Sequence, residues 1–197
     1  MRTGTIVAVA ASILAVGSVA YSVNTQRAAA GQSQAGPKQP SKAERVERGK
    51  YLVNTSGCHD CHTPWKMGAN GPELDMARAL SGHPENMDLP PAPPASGPWI
   101  GAVAATNTAW AGPWGVSFTA NLTPDRETGT GAWTEENFVR TIRTGRHLGN
   151  GRPILPPMPI PAYSQMTDED LKSIYWYLQS LPAMKNRVPQ PRPPVAG

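Results

Sequence analysis

The chain has 197 residues, enough for one domain with a sizeable core and too few for two comfortable ones. Its 22 prolines and 19 glycines imply much turn and extended loop, with helix in the minority. The formal charge of +4 misdescribes the folded part: three of the 18 basic residues, Arg2, Arg27 and Lys38, precede Ser41, which leaves 15 against 14 acidic ones and no basic stripe suited to a nucleic acid.

The chain opens on MRTGTIVAVAASILAVGSVAYSV, with Arg2 ahead of an uncharged run from Ile6 to Val23, the order of charge and apolarity found in an export signal. Small-residue cleavage sites stand at Ser18-Val19-Ala20 and Ala28-Ala29-Ala30. The run also just reaches the length of a membrane-spanning helix, so residues 1–30 read as a signal peptide or as an N-terminal anchor. Either way the expected location is the periplasm, in free or membrane-anchored form. Residues 31–42, GQSQAGPKQPSK, form a polar linker, residues 43–185 the folded domain, and residues 186–197 a Pro-rich tail.

From Ser41, the pattern SKAERVERGKYLVNT carries a cap, Glu44 three residues on, and apolar Val46, Leu52 and Val53; it predicts a helix ending before Gly57. Next comes GCHDCHTPW, which holds the two cysteines of the chain, Cys58 and Cys61, with His62 directly after the second. Residues 63–115 show no sustained period and interleave Trp65, Trp99, Trp110 and Trp114 with prolines and glycines. A loop of that length inside a compact domain usually wraps something. At 133–145, WTEENFVRTIRTG predicts a second helix, with a Thr134 cap, Glu135 and Glu136 in the first turn and Gly145 as a stop. The third is written in MTDEDLKSIYWYLQSLP, where Thr167 and Asp170 pair as a capping box and Leu171, Ile174, Tyr175, Leu178 and Leu181 recur at helical spacing. No alternating run is long enough for a strand ladder, so the expected class is all-α, a few helices with long irregular loops.

Two thiols and an imidazole within five residues admit three chemistries. A structural zinc site needs four tetrahedral ligands, whereas Cys58, Cys61 and His62 are too crowded to share one tetrahedron and no second pair exists. A thioredoxin-like dithiol wants a βαβ setting and has no need of the histidine. Covalent haem attachment is the chemistry for which C-x-x-C-H is the recognised pattern. On one helical turn the thiols at i and i+3 lie side by side, ready for the two vinyl groups of a porphyrin, and His62 reaches the iron. One motif means one haem c.

The blocks RGKYLVNTSGCHDCHT and MTDEDLKSIYWYLQSLP resemble the first and last helices of the class I cytochromes c. More narrowly, GPWGVSFTANLTPDRETGTGAWTEENFVRTIRTGR and LPPMPIPAYSQMTDEDL are similar to bacterial dehydrogenase-associated cytochrome c subunits. Together they cover most of 45–182, and the stretch 66–111 matches least. The resemblance implies a class I cytochrome c fold, with the two helices crossing so that Gly49 packs near Ile174 or Tyr177. It implies that Met158, in PPMPIP, is the second axial ligand, and that the Pro72 carbonyl accepts the His62 ring N–H. The rivals for Met158 are Met166, His83 and His147, and a methionine filling a gap in the core is the plain alternative. Arg143, Arg146 and Arg152 are candidates to pair with haem propionates, or else form a solvated face.

The expected function is thus that of an exported one-haem cytochrome c passing single electrons from a dehydrogenase or quinol-oxidising partner towards a terminal oxidase. It is not itself an enzyme, and it meets a membrane only if the N-terminal segment is kept. The alternative is a haem peroxidase or a gas-binding cytochrome with an open sixth coordination position.

Overall fold

A computed structural model of the protein describes residues 39–93 and 98–194. The chain divides into two compact units, Met1–Gln39 and Pro40–Gly197, and all described residues but Gln39 belong to the second. The signal or anchor, residues 1–30, and residues 31–38 of the linker lie outside the described residues. Among the latter, no helix is long and apolar enough to cross a membrane.

In chain order the elements are α1 (Lys42–Thr55), α2 (Cys58–His62), β1 (Trp65–Gly68), β2 (Gly71–Leu74), β3 (Ala102–Val103), β4 (Ala109–Gly112), β5 (Gly115–Phe118), α3 (Glu135–Thr144), α4 (Ile160–Tyr163) and α5 (Asp168–Ser180), with 3-10 turns at Met76–Arg78 and His147–Gly149. Helix α1 starts on the capping box legible in the sequence: the Ser41 hydroxyl accepts from Glu44 N, and the Glu44 carboxylate accepts from Ser41 N at 2.7 Å. Helices α3 and α5 start on Thr134 and Thr167, whose hydroxyls accept from Asn137 N and Asp170 N.

Helices α1 and α5 cross at a glycine, as the resemblance implies. A Cβ on Gly49 would stand 1.9 Å from the Ser173 carbonyl oxygen and 2.7 Å from the Tyr177 Cβ, so the two backbones approach closer than any side chain allows. Tyr177 is one of the two expected neighbours; the other proves to be Ser173, one position before Ile174. Arg48 to Asp170 at 2.9 Å and Arg45 to Glu169 at 3.1 Å reinforce the crossing from outside. The core around it gathers Leu52 and Val53 of α1, Leu80, Phe138 and Ile142 of α3, and Leu171, Ile174, Tyr175 and Leu178 of α5.

The all-α expectation is incorrect. The stretch read as one long loop contains two antiparallel sheets, β1–β2 and β3–β4–β5, and the fold is mixed. Strands of two to four residues are too short to write an alternating pattern, and only their pairing sets Ala109, Ala111, Val116 and Phe118 on one face and Trp110 and Ser117 on the other. The β4–β5 hairpin closes through Pro113 and Trp114 onto Gly115, whose φ of +91° and lack of a Cβ let the Arg192 carbonyl oxygen pass 2.1 Å from where that atom would be.

That carbonyl belongs to a strap formed by residues 184–192. Val116 and Arg192 exchange both backbone hydrogen bonds at 2.9 Å, adding the end of the chain to the free side of β5. Asn186 is buried, donates to the Ser81 and His83 carbonyls at 2.7 and 2.9 Å, and accepts from Glu85 N. Asn121 donates to the Met184 carbonyl at 2.8 Å.

Candidate functional site

The motif Cys58–His62 is a single helical turn directly after α1. Gly57 precedes it with φ +74° and ψ +18°, and the turn is closed by Asp60 N to the Gly57 carbonyl and Thr63 N to the His59 carbonyl. The left-handed glycine is what allows a second helix to begin two residues after the first has ended. Cys58 and Cys61, three positions apart, lie on one side of this turn, both half-buried and neither in a disulfide. Burial pushes the Cys58 thiol up to about 11, and burial and then the Asp60 carboxylate push Cys61 up as well. At neutral pH both stay protonated, which does not suit a reactive dithiol. Among the described residues, no three His, Cys, Asp or Glu side chains converge to hold a metal ion.

His62 is buried, and its Nδ1 lies 2.8 Å from the Ala120 carbonyl oxygen. A carbonyl can only accept, so the ring proton sits on Nδ1 and Nε2 keeps its lone pair. Burial pushes the pKa down, which keeps the imidazole neutral. The expected partner of this N–H, Pro72, is instead in β2 opposite Met67, and the acceptor is Ala120. Ala120 is held there by a small lattice: Gly82 N donates to the His62 carbonyl at 2.8 Å, His83 N to the Thr119 carbonyl at 3.0 Å, and Leu122 N to the Leu80 carbonyl at 2.9 Å. Leu80, fully buried, sits at φ +59°, a strained position for a branched residue that the surrounding packing enforces.

Met158 is partly buried and packs against the same core that receives Cys58. Its loop is tied back to the motif by Tyr163, whose hydroxyl donates to the Ser56 carbonyl. Burial, with Cys58 and Cys61 adding to it, pushes the Tyr163 phenol up to about 12. The rival ligands are engaged elsewhere. His83 is buried with Nδ1 2.9 Å from the Thr108 hydroxyl and its ring against Phe118; His147 lies edge-on to Trp133; Met166 packs on the core. Arg143 donates to the Ser164 carbonyl and, at 2.5 Å, to the Asp168 carboxylate, while Arg146 reaches the Gly151 carbonyl and Arg152 the Pro153 carbonyl.

These residues fit a c-type haem. The thiol pair is protonated and one turn apart, the imidazole is buried with a free lone pair, and a thioether packs on the core that Cys58 also meets. The indole N–H groups of Trp110 and Trp114 and the Thr119 hydroxyl are buried without a partner among the described residues, all on the ribbon that leads to Ala120. Buried donors seek acceptors, and the carboxylates that a haem carries are acceptors of that kind. The sequence does not single out Ala120 or Leu80; Tyr163 it offers, with the tryptophans, as a candidate lining residue of the haem crevice or else as ordinary core.

Comparison with known proteins bears on the class. No family model matches the chain. It is 29% identical over 160 residues to the fructose dehydrogenase cytochrome subunit of Gluconobacter japonicus, a match covering 77% of this chain and 26% of that one. It is 30% identical over 132 residues to the gluconate 2-dehydrogenase cytochrome c subunit of Pantoea cypripedii, covering 67% and 22%. To the cytochrome c subunit of the quinone-dependent alcohol dehydrogenase of Gluconobacter oxydans it is 26% identical over 147 residues, covering 73% and 23%. The resemblance to dehydrogenase-associated cytochrome c subunits read from the sequence therefore holds over most of the chain. The chain spans about a quarter of the length of these relatives.

Proposed function

We propose that the chain is an exported cytochrome bearing one covalently attached haem c, which passes single electrons as the non-catalytic partner of a dehydrogenase. Cys58 and Cys61 would hold the haem through two thioether bonds, one to each of its vinyl groups, and His62 Nε2 and Met158 Sδ would bind its iron. The observation that carries this reading is the His62 ring, buried, neutral and fixed by the Ala120 carbonyl in the one tautomer that offers Nε2.

When bound, the haem supplies a one-electron iron couple. The residues around it set its environment. The Ala120 carbonyl raises the basicity of Nε2, the apolar core keeps water away, and prolines 156, 157 and 159 stiffen the segment that presents Met158. A thioether favours ferrous iron relative to a second imidazole, and the resulting high potential suits acceptance of electrons from a dehydrogenase. The names of the relatives support a dehydrogenase as donor. A quinol-oxidising donor or a terminal oxidase as acceptor rests on the expected potential alone. The N-terminal charge pattern supports export to the periplasm, and the haem-bearing domain is wider than the expected 43–185, since the compact unit begins at Pro40 and includes buried Asn186 and the Val116–Arg192 bridge.

The test is to express the chain in a host that matures such cytochromes. The purified protein should exceed its processed polypeptide mass by one haem, and the ferric form should show the far-red band of methionine sulfur on iron. A colourless protein overturns the proposal; a coloured one without that band, binding carbon monoxide when reduced, replaces electron transfer with ligand binding at an open site.

A further inference from the structure

The segment Leu155-Pro156-Pro157-Met158-Pro159 has a difficulty written into it. Three of its five residues lack a backbone N–H, so it has few donors with which to fasten itself to the fold. Stiffness fixes its own shape and leaves its position to be set by others, through its carbonyl oxygens. Within the loop, the Met158 carbonyl accepts from Ile160 N at 2.8 Å, which orders the turn into α4 but anchors it to nothing else.

The anchor is Ser117 on β5. Its hydroxyl donates to the Pro156 carbonyl at 2.5 Å, and the Trp110 carbonyl, at 3.3 Å, is the weaker claimant on the same proton. Ser117 is 8% exposed, so water does not compete freely for this bond. Among the described residues, it is the hydrogen bond from beyond residue 163 or before residue 155 that reaches Pro156, Pro157 or Met158. Three residues further along, two past the end of β5, the Ala120 carbonyl holds His62. The far edge of β5 is in turn fixed to the strap at Arg192.

We infer that Ser117 is the positioning residue for Met158, and that β5 with its extension to Ala120 is a single support on which both iron ligands depend. This rests on the haem reading above. The hydroxyl keeps the thioether on the iron against competing ligands, a part played by position alone, since Ser117 itself touches neither ligand atom. Loss of the bond frees the Pro156 carbonyl from the hairpin, and the methionine is then displaced more readily while His62 stays in place.

The experiment uses the ferric holoprotein with imidazole as the probe, comparing wild type with Ser117→Ala, Ser117→Thr and Ser117→Cys. Ser117→Ala should bind imidazole about tenfold more tightly, as expected for the loss of one buried hydrogen bond that opposes displacement. It should also lose the far-red band at lower pH. Ser117→Thr restores the donor and should return both readings to wild type; Ser117→Cys, a weak donor of similar size, should fall between and carries the test if Ser117→Ala fails to mature. Imidazole affinity unchanged in Ser117→Ala or Ser117→Cys, even with a lowered melting temperature, makes Ser117 merely structural and overturns the inference. A wild-type holoprotein without the far-red band strikes instead at Met158 itself, before any variant is compared.

Discussion

At the residue scale the site depends on atoms that differ greatly in how visible they are. Met158→Ala should leave both thioethers intact, lower the reduction potential and let the reduced protein bind carbon monoxide; spectroelectrochemical titration checks the first effect and the visible spectrum the second. Cys58→Ala should leave a single thioether through Cys61, readable as an unchanged holoprotein mass apart from the side-chain difference and a red-shifted ferrous spectrum from the remaining vinyl group. Tyr163→Phe should cost about 1 kcal/mol by releasing the Ser56 carbonyl ahead of the motif, seen as a lower denaturant midpoint with an unchanged slope. The sequence makes Cys58, Cys61 and His62 legible because their spacing is itself the chemistry. It leaves Ala120 hidden, since a backbone carbonyl can be offered by almost any residue and only the folded chain shows which one arrives. The assignment to Pro72 followed a likeness of GPEL to another segment, and those four residues are instead spent on pairing with WKMG.

At the scale of elements, the helices were legible and the strands were not, for one reason. The capping box at Ser41, the Thr167 cap, whose expected box with Asp170 forms only the bond from Asp170 N, and the period of Leu171, Ile174 and Leu178 are local statements that a single stretch of chain can make. The hairpins are agreements between stretches, and four residues such as GVSF become a strand only because AWAG lies beside them. The α1–α5 crossing falls between these cases, because a lone Gly49 in a helix gains meaning only from the last helix. Gly49→Val should force the Ser173 carbonyl away and destabilise the fold by about 1–3 kcal/mol through overpacking, checked by thermal unfolding of the holoprotein. Haem incorporation by Gly49→Val should fall with stability, because α1 carries the motif at its end.

For the whole molecule, pH acts through groups buried without charge. His83 is sealed between Thr108 and Phe118, and burial pushes its pKa below the ordinary value of 6.5. His59 and His147 are shifted the same way, each mainly by burial. In the unfolded chain these rings take up protons near pH 6.5, while the folded chain resists, so the unfolded state binds more protons as pH falls. Stability from these groups is complete above that value and declines below it. The carboxylate of Asp168, held low by Arg143, adds a later loss in more acid solution. The melting temperature should therefore be flat from neutrality until the unfolded Tyr163 phenol ionises near 10, and should begin to fall on acidification through pH 6.5. A His83→Gln variant should show a shallower first decline, and an identical one would remove His83 from this account.

The order in which a chain is delivered gives the strap at residues 184–192 a temporal meaning. On the export route proposed above, a chain threaded N-terminus first brings those residues to the periplasm after every segment they fasten, so Val116 has no partner on its outer side, and the carbonyls of Ser81 and His83 have no amide to cap them, until Arg192 has crossed. Until the strap docks, the ribbon bearing Ser117 and Ala120 lacks that outer fastening, whereas the turn carrying Cys58, Cys61 and His62 is closed by its own backbone bonds and does not wait for it.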